Sequence, residues 1–343
     1  MIDYILKTLE TLVNIPSVSG DYHAIQNFLL TEIDKIDEQK TLFIKRYNRG
    51  GILLKISGKS KNGVLLASHL DTLGAMVKNI RDDGKILFSP IGGYSLLTVL
   101  GNYCTIHSDD KKFTGTVLFD NGSVHANGRE FEKGKFNHKD ILIRLDEYVK
   151  NKEDVKKLGI ETGDYISWAP SFIKTDSGFI KSRHLDDKLG VAILLGLIKE
   201  LLINNKIPNR DIYFFFSVWE EVGFGANFEF PKEIEEVIIV DNGVLGPEQE
   251  SDEYSVTICA KDSTGPFHPE MKDKLVNIAK INDIKFKIDI YPHYGSDAAT
   301  MLRAGNDFKT ILVSPGVDSS HSYERTTVSS ILNTFNLISN YIK

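Results

Sequence analysis

Apolar residues recur along this chain at two spacings, which predict where it forms helices and where it forms strands. Helical spacing predicts a first helix before Pro16, a second over about residues 25–36 and a last one from Val328 to Tyr341. The first stripe consists of Ile2, Ile5, Leu6, Leu9, Leu12 and Val13. Both ends of the sequence are therefore expected to be helical.

Short, unbroken apolar runs predict buried strands. They are GILLKI, GVLLASHL, IYFFFSVW and EVIIV, and a long apolar helix over about residues 190–202 precedes the third run. Strands that are apolar throughout are typical of a mostly parallel sheet covered on both faces. The alternation of strand and helix predicts an α/β protein with a three-layer α/β/α domain.

The middle of the chain has a different pattern, with many glycines, short alternating strands and no long helical stripe. We interpret residues 73–174 as a small β-rich domain inserted into a larger domain formed by residues 1–72 and 175–343. Within the insertion, residues 121–137 are polar and nearly free of aliphatic side chains. They are predicted to form an exposed, mobile loop.

Composition and charge limit the kinds of partner and the cellular compartment that we expect for this chain. The chain has 47 acidic and 41 basic residues and a formal charge of −6, which argues against binding to nucleic acid. No signal-peptide pattern and no apolar run of membrane-spanning length is found, so we expect no membrane partner. Two cysteines, Cys104 and Cys259, are too few for a disulfide framework, and a reducing, cytoplasmic setting is expected.

Residues that can act as acids, bases or metal ligands follow directly after the apolar strands. His69 and Asp71 follow one strand, Glu220 and Glu221 follow another, and Asp241 follows a third. Ligands of open α/β sheets bind in the crevice beyond the carboxyl ends of the strands, so these side chains are expected to meet at one edge. Taken singly, each has an ordinary explanation, such as a structural histidine at a strand end.

Two further motifs turn this set into a candidate metal site. Asp186 and Asp187 precede the long apolar helix, where N-capping explains one aspartate more readily than two. His321 follows the apolar run KTILVSP. So many acids without an adjacent lysine or arginine would repel one another, and cations resolve that conflict. Two histidines and several carboxylates suit two ions of zinc, cobalt or manganese better than calcium.

The order His-x-Asp, Asp-Asp, Glu-Glu, Asp and His resembles that of the tetrahedral aminopeptidases, dinuclear metallopeptidases that include glutamyl and deblocking aminopeptidases. The resemblance covers nearly the whole chain, including NIPSVSG, HLDDKLG, WEEVGFGA, VDNG, GSDAATM and the late HS with Glu324 nearby. It implies an α/β/α catalytic domain with an inserted, barrel-like dimerisation domain.

The resemblance also implies a role for each site residue. The metal ligands would be His69, Asp186 and Asp241 for one ion and Asp186, Glu221 and His321 for the other. Asp186 would thus bridge two divalent ions in each subunit, with zinc favoured and cobalt or manganese as alternatives. Asp71 would orient His69, and Glu220 would act as general base by taking a proton from a water bound at the metals.

The implied activity is removal of the N-terminal residue from short peptides with a free α-amino group. The implied assembly is a homo-oligomer, from a dimer to a tetrahedral dodecamer. The sequence departs from the family pattern at Thr72, where an acid is expected, and at Lys188, where arginine is usual. It also has YPHYGSD where a glycine pair is usual, and we predict that His293, Tyr294 and Ser296 contribute to substrate binding. For His293, a surface or packing role is an equal alternative.

Three other functions fit parts of the pattern. A glycoside hydrolase would use two carboxylates, but it gives no reason for His69, Asp186 and His321. A non-catalytic metal-binding or peptide-binding homologue would keep the ligands, but it would not need Glu220. A dinuclear deacylase or carboxypeptidase usually has its smaller domain after the glutamate pair, whereas here the insertion precedes that pair.

Overall fold

The computed structural model describes residues 1–129, 138–204 and 207–343. The larger unit consists of Met1–Thr72 and Ser171–Lys343, and the smaller one of Leu73–Pro170.

The helices and strands have the following bounds. The helices are α1 (Ile2–Val13), α2 (His23–Ile36), α3 (Val124–Asn127), α4 (Lys152–Leu158), α5 (Leu185–Ile203), α6 (Pro269–Ile281), α7 (Asp297–Arg303) and α8 (Val328–Ile342). The strands are β1 (Phe43–Arg46), β2 (Ile52–Ile56), β3 (Ser60–His69), β4 (Gly74–Ile80), β5 (Ile86–Ile91), β6 (Tyr103–Ser108), β7 (Lys111–Phe119), β8 (Ile141–Leu145), β9 (Tyr165–Trp168), β10 (Ile173–Lys174), β11 (Phe179–Ser182), β12 (Arg210–Ser217), β13 (Ile234–Val240), β14 (Gly243–Val244), β15 (Val256–Asp262), β16 (Gly265–Pro266), β17 (Phe286–Ile290), β18 (Lys309–Val317) and β19 (Glu324–Thr327).

The larger unit is built on a ten-stranded mixed sheet. Its strand order is β1-β2-β12-β3-β13-β18-β15-β16, with β14 paired to β18 and β17 paired to β15. The four neighbours β12, β3, β13 and β18 run parallel to one another. Three of these four contain the apolar runs that predicted buried strands, and their parallel direction brings their carboxyl ends to the same edge of the sheet.

Both faces of this sheet are covered. Successive strand residues point to opposite faces, and every residue of β3 from Gly63 to His69 is buried, as is every residue of β12 from Asp211 to Ser217. Helix α5 is buried over Leu185–Ile198 and packs against α1, α8 and β3. The α/β/α fold predicted from the sequence is confirmed. Within the described ranges, no helix has the length and apolarity needed to cross a membrane.

The smaller unit is a closed antiparallel barrel. Its strands follow the order β4-β5-β8-β7-β6-β9, and Ile86, Ile106, Val117, Ile143 and Ile166 are fully buried in its core. Closure pairs every strand on both sides and so removes free sheet edges. The β-rich, barrel-like fold predicted for the middle of the chain is confirmed.

The structure places strand β10 at the predicted domain boundary and part of the predicted polar loop. Strand β10 lies before residue 175 but pairs with β11, and β11 pairs with β19, so β10 belongs to the larger unit. The polar segment 121–137 is exposed over residues 121–129 and contains the single-turn helix α3. Residues 130–137 of that predicted loop lie outside the described residues.

Helix α5 contains two glycines in different surroundings. A Cβ atom at Gly190 would lie 2.5 Å from the backbone oxygen of Val240 at the end of β13, and it would also collide with the Asp187 carboxylate. A Cβ atom at Gly196 would lie 2.8 Å from the side chain of Ile5, which can shift. Gly190 therefore lets α5 approach the end of β13, next to the site described below.

We predict that Gly190→Ala lowers the free energy of unfolding by about 1–3 kcal/mol, because a backbone atom cannot give way to the added methyl group. This loss outweighs the helix preference for alanine, which is about 1 kcal/mol. Gly196→Ala is the matched control and is expected to change stability by less than about 1 kcal/mol. Urea unfolding followed by circular dichroism measures both variants, and equal midpoints would contradict this packing argument.

Candidate metal centre

Three adjacent parallel strands deliver the predicted site residues to one edge of the sheet. His69 is the last residue of β3, Glu220 and Glu221 lie in a 3₁₀ turn just after β12, and Asp241 follows β13. The strands lie in the order β12-β3-β13, so His69 stands between the other two strand ends. Asp186 arrives from the start of α5, and His321 from the loop between β18 and β19.

Asp186 lies between the two histidines. Its Oδ1 atom is 3.0 Å from His69 Nε2, and its Oδ2 atom is 3.3 Å from His321 Nε2. His69 Nε2 is also 3.8 Å from Glu220 Oε2 and 4.0 Å from Asp241 Oδ1. His321 Nε2 is 3.6 Å from Glu221 Oε2. The structure thus brings together all five predicted ligands and Glu220.

Asp187 has a different environment from its neighbour. One of its carboxylate oxygens accepts hydrogen bonds from the Ser68 hydroxyl and from the His69 N–H at 3.2 Å. The other accepts from the Gly190 N–H at 3.1 Å, as an N-capping aspartate does at the start of a helix. Of the two adjacent aspartates, Asp187 therefore stabilises the start of α5, and Asp186 faces the histidines.

The donor atoms are close enough together to hold cations. Among the described residues, there are two groups of three side chains whose donor atoms, one from each residue, all lie within 4.8 Å of one another. They are His69 with Asp186 and Glu221, and His69 with Asp187 and Asp241. Glu221 Oε1 is buried and has no hydrogen-bond partner in the described part of the chain. A buried carboxylate oxygen without a donor is costly, and a cation would satisfy it. The residues present therefore fit a metal centre.

Burial and neighbouring charges shift the pKa values of these acids strongly. Burial, followed by the charge of Asp186, raises the pKa of Glu221 well above its ordinary value and that of Asp241 to about 6. Burial also raises the pKa of Glu220. Asp186 differs: burial opposes its ionisation, but hydrogen bonds with the imidazoles of His321 and His69 lower its pKa. Carboxylates packed this closely compete for protons, and cations among them would favour their ionised forms.

Asp71 organises the site through both its backbone and its side chain. Its carbonyl oxygen lies 2.9 Å from His69 Nδ1, which leaves Nε2 pointing toward Asp186. Its carboxylate accepts hydrogen bonds from the N–H groups of Glu220 and Glu221 at 3.1 and 3.3 Å. Asp71 therefore orients the histidine mainly through the carbonyl, and its carboxylate holds the turn that carries the glutamate pair.

Ser19 is a site residue that the sequence analysis did not identify. Its hydroxyl donates to Asp71 Oδ2 at 2.6 Å, and both residues are buried. Its backbone N–H donates to the Thr72 carbonyl, and the Thr72 N–H donates to the Ser17 carbonyl, so the loop pairs with the chain after β3. A serine in the motif NIPSVSG has no periodic pattern around it, and only this contact across 52 residues shows its role.

Glu324 lies three residues after His321, and the family resemblance implies no role for it. It is buried and accepts hydrogen bonds from the N–H groups of Asp186 and His321, each at 3.1 Å. Burial, followed by the charge of Asp186, raises the pKa of Glu324 to about 8. Ser320 adds a hydroxyl that donates to Asp186 Oδ2 at 3.1 Å. Both residues fix the backbone or side chain of the candidate ligands.

Lys188 is a buried cation in a region where the sequence analysis expected none beside the acids. Its side chain is inaccessible to solvent, and its ammonium group donates to the Ile15 carbonyl at 2.6 Å. Burial lowers the pKa of Lys188 to about 7, and the charge of Asp71 acts in the opposite direction. The lysine thus ties α5 to the same loop that carries Ser19.

The segment predicted to bind substrate is only partly buried. His293 is exposed, Tyr294 is half-buried and Ser296 is buried. The hydroxyls of Tyr294 and Ser296 are both buried atoms without hydrogen-bond partners among the described residues. Tyr294 packs against the core of the larger unit, with its ring 5.5 Å from that of Tyr291.

Comparison with known proteins identifies similar sequences over almost the whole chain. The family model described as M42 glutamyl aminopeptidase matches residues 50–337. YhfE of Bacillus subtilis (strain 168), a provisionally named aminopeptidase, is 39% identical over 340 residues. That match covers 98% of this chain and 97% of YhfE.

Solved structures share the fold. A TET aminopeptidase from a marine sediment Thaumarchaeota archaeon matches with a TM-score of 0.87 at 18% identity, over 99% of this chain and 96% of its own. The TET1 peptidase of Pyrococcus horikoshii matches with a TM-score of 0.85 at 22% identity, over 98% and 99%. The latter can assemble into a tetrahedron or a large octahedral shell. At these identities the likeness shows the fold alone.

We predict that Ser19→Ala weakens metal affinity by about 10- to 100-fold, the usual effect of removing a partner that holds the residues around a metal. Ser17→Ala is the matched control, because its hydroxyl donates to the Leu70 carbonyl at 2.7 Å in the same loop and not to Asp71. Competition between each variant and a chromogenic chelator gives the metal Kd. An equal loss of affinity in both variants would show that Ser19 acts only by stabilising the loop.

Proposed function

Because the chain belongs to the M42 glutamyl aminopeptidase family, we propose that it is a dinuclear metal-dependent aminopeptidase. It removes the N-terminal residue from short peptides with a free α-amino group. The observation that carries this proposal is the position of Asp186, which presents one oxygen to His69 at 3.0 Å and the other to His321 at 3.3 Å. A carboxylate in that position suits a bridge between two cations.

The ligand assignment is the one that the family resemblance implies, and the distances around Asp186 support it. The proposed ligands are His69, Asp186 and Asp241 for one ion, and Asp186, Glu221 and His321 for the other. Imidazole nitrogens mixed with carboxylate oxygens suit zinc, with cobalt and manganese as alternatives. When bound, the two ions would supply Lewis acidity, which lowers the pKa of the attacking water and polarises the scissile carbonyl.

Glu220 is the proposed general base. Its carboxylate lies 3.8 Å from His69 Nε2, beside the proposed ligands. Its backbone is fixed by the hydrogen bond from its N–H to Asp71. A carboxylate at this position can accept a proton from the attacking water and return it to the departing amine.

The rival functions have less support. The family assignment makes the chain a peptide hydrolase, and a glycosidase that uses two carboxylates has no role for two histidines facing one aspartate. A non-catalytic homologue would have no use for an acid such as Glu220, which lies beside the ligands and is not one of them.

The assembly and the compartment are also proposals. The TET relative that forms closed shells supports a homo-oligomer for this chain, and we assign the smaller unit as its dimerisation domain. That unit has exposed apolar side chains at Leu97, Tyr103, Leu118 and Tyr148, which suit contact with a second copy. Both cysteines are free and buried, in keeping with the reducing cytoplasm.

We predict that removing divalent cations with a chelator abolishes aminopeptidase activity, and that adding zinc, cobalt or manganese restores it at two ions per chain. The assay is hydrolysis of a panel of aminoacyl p-nitroanilides, with metal content measured by mass spectrometry. N-acetylated versions of the preferred substrate are the control, and they should not be cleaved. Activity that persists in the metal-free protein would contradict the metal-dependent mechanism.

We predict that Glu220→Gln lowers kcat by about 10²- to 10⁴-fold while both metal ions remain bound, because the amide cannot accept the proton. Glu229→Gln, at an exposed glutamate beyond the same turn, is the matched control. Steady-state kinetics with parallel metal analysis test this role. Unchanged turnover with metals bound would contradict the assignment of Glu220 as the base, but it would not affect the ligand assignment.

A further inference from the structure

Tyr294 occupies a fixed position beside the candidate metal ligands. It lies between β17 and α7, where the chain departs from the glycine pair expected from the family pattern. Its carbonyl accepts hydrogen bonds from the N–H and the hydroxyl of Ser263 at 3.0 and 2.5 Å. Its ring packs at 5.5 Å from the ring of Tyr291, tilted by 53°. Both the backbone and the ring are thus held in place.

The Tyr294 hydroxyl is a buried donor that lies beside the Asp241 carboxylate. It has no hydrogen-bond partner of normal geometry among the described residues. Burial, followed by the charges of Asp241, Asp186 and Glu220, raises the pKa of Tyr294 well above its ordinary value. These three carboxylates are therefore the charged groups near the hydroxyl. A buried hydroxyl without a partner costs about 1–3 kcal/mol, so such a group calls for an explanation.

The chemistry of the cleft indicates which part of a peptide this donor would meet. The surrounding carboxylates only accept hydrogen bonds when ionised, and they suit the substrate's α-amino group, which donates. Attack on a peptide carbonyl places negative charge on its oxygen, which is stabilised by donors fixed in advance. A phenol O–H beside the ligands matches that oxygen and not the amine.

We propose that Tyr294 is a further catalytic residue, whose hydroxyl donates a hydrogen bond to the oxygen of the scissile carbonyl. This bond strengthens as negative charge develops on the oxygen during attack. The phenol keeps its proton throughout, so no bond to Tyr294 forms or breaks. The inference rests on the proposed aminopeptidase function and adds a residue to it.

The test is Tyr294→Phe in the metal-loaded enzyme, assayed with the preferred aminoacyl p-nitroanilide. Loss of one oxyanion donor is expected to lower kcat by about 10²- to 10³-fold. KM should stay within about threefold, since the interaction is made in the transition state. Two metal ions per chain should remain. The α-aminophosphonate analogue of the preferred residue, a tetrahedral mimic, should bind more weakly by a similar factor, and the free amino acid product should not.

Tyr291→Phe is the matched control. Tyr291 is the ring neighbour of Tyr294, but its buried hydroxyl pairs with that of Ser251 at 2.8 Å, away from the ligands. This variant should lose some stability and keep its kcat.

Each other outcome overturns the inference in a distinguishable way. An active wild-type enzyme with unchanged kcat in Tyr294→Phe overturns the inference alone. A fall in kcat that matches a loss of bound metal would mean that Tyr294 only holds Asp241, which also overturns it. A metal-loaded wild-type protein without peptidase activity overturns the proposed function and this inference together.

Discussion

The burial of several carboxylates at one sheet edge is the constraint on which the larger unit depends. A buried charge is tolerated only where hydrogen bonds or opposite charges compensate for the loss of water. Three of these acids accept hydrogen bonds from Ser68, Ser19 or backbone N–H groups: Asp187, Asp71 and Glu324. The remaining acids face each other and two imidazoles. The fold thereby separates acids that hold the site together from acids whose carboxylates are available to a ligand.

The scaffold sets the positions of those acids with little freedom. Parallel pairing of β12, β3 and β13 fixes the relative heights of the three strand ends, and Gly190 lets α5 approach the end of β13. The two oxygens of Asp186 can then face two histidines that are far apart in sequence. A site built from strand ends and a helix start is held by the rigid part of the fold, which suits chemistry that needs accurate placement.

The loop around Ser19 shows how the support of a site can lie far from it in sequence. It is held to α5 by the buried ammonium group of Lys188 and to the chain after β3 by Ser17 and Thr72. Its serine then contacts the carboxylate that positions the glutamate turn. One short segment therefore couples the start of α5, next to Asp186, to the turn that carries the proposed base. The cation in this network faces the loop carbonyl of Ile15 and lies close enough to Asp71 to be affected by its charge.

The sequence by itself determined the α/β fold, the inserted β-rich unit and the position of His69, Glu220 and Asp241 after buried strands, because apolar runs and the polar residues that end them are local patterns. The family resemblance assigned Asp186 rather than Asp187 to the histidines, but only the tertiary structure shows the physical reason, since Ser68 and the N–H of Gly190 meet Asp187. The same holds for Ser19, whose partner is 52 residues away. Hydrogen bonds between segments distant in sequence leave no periodic trace in either segment. Their partners are fixed only when strand register and helix packing bring the segments together.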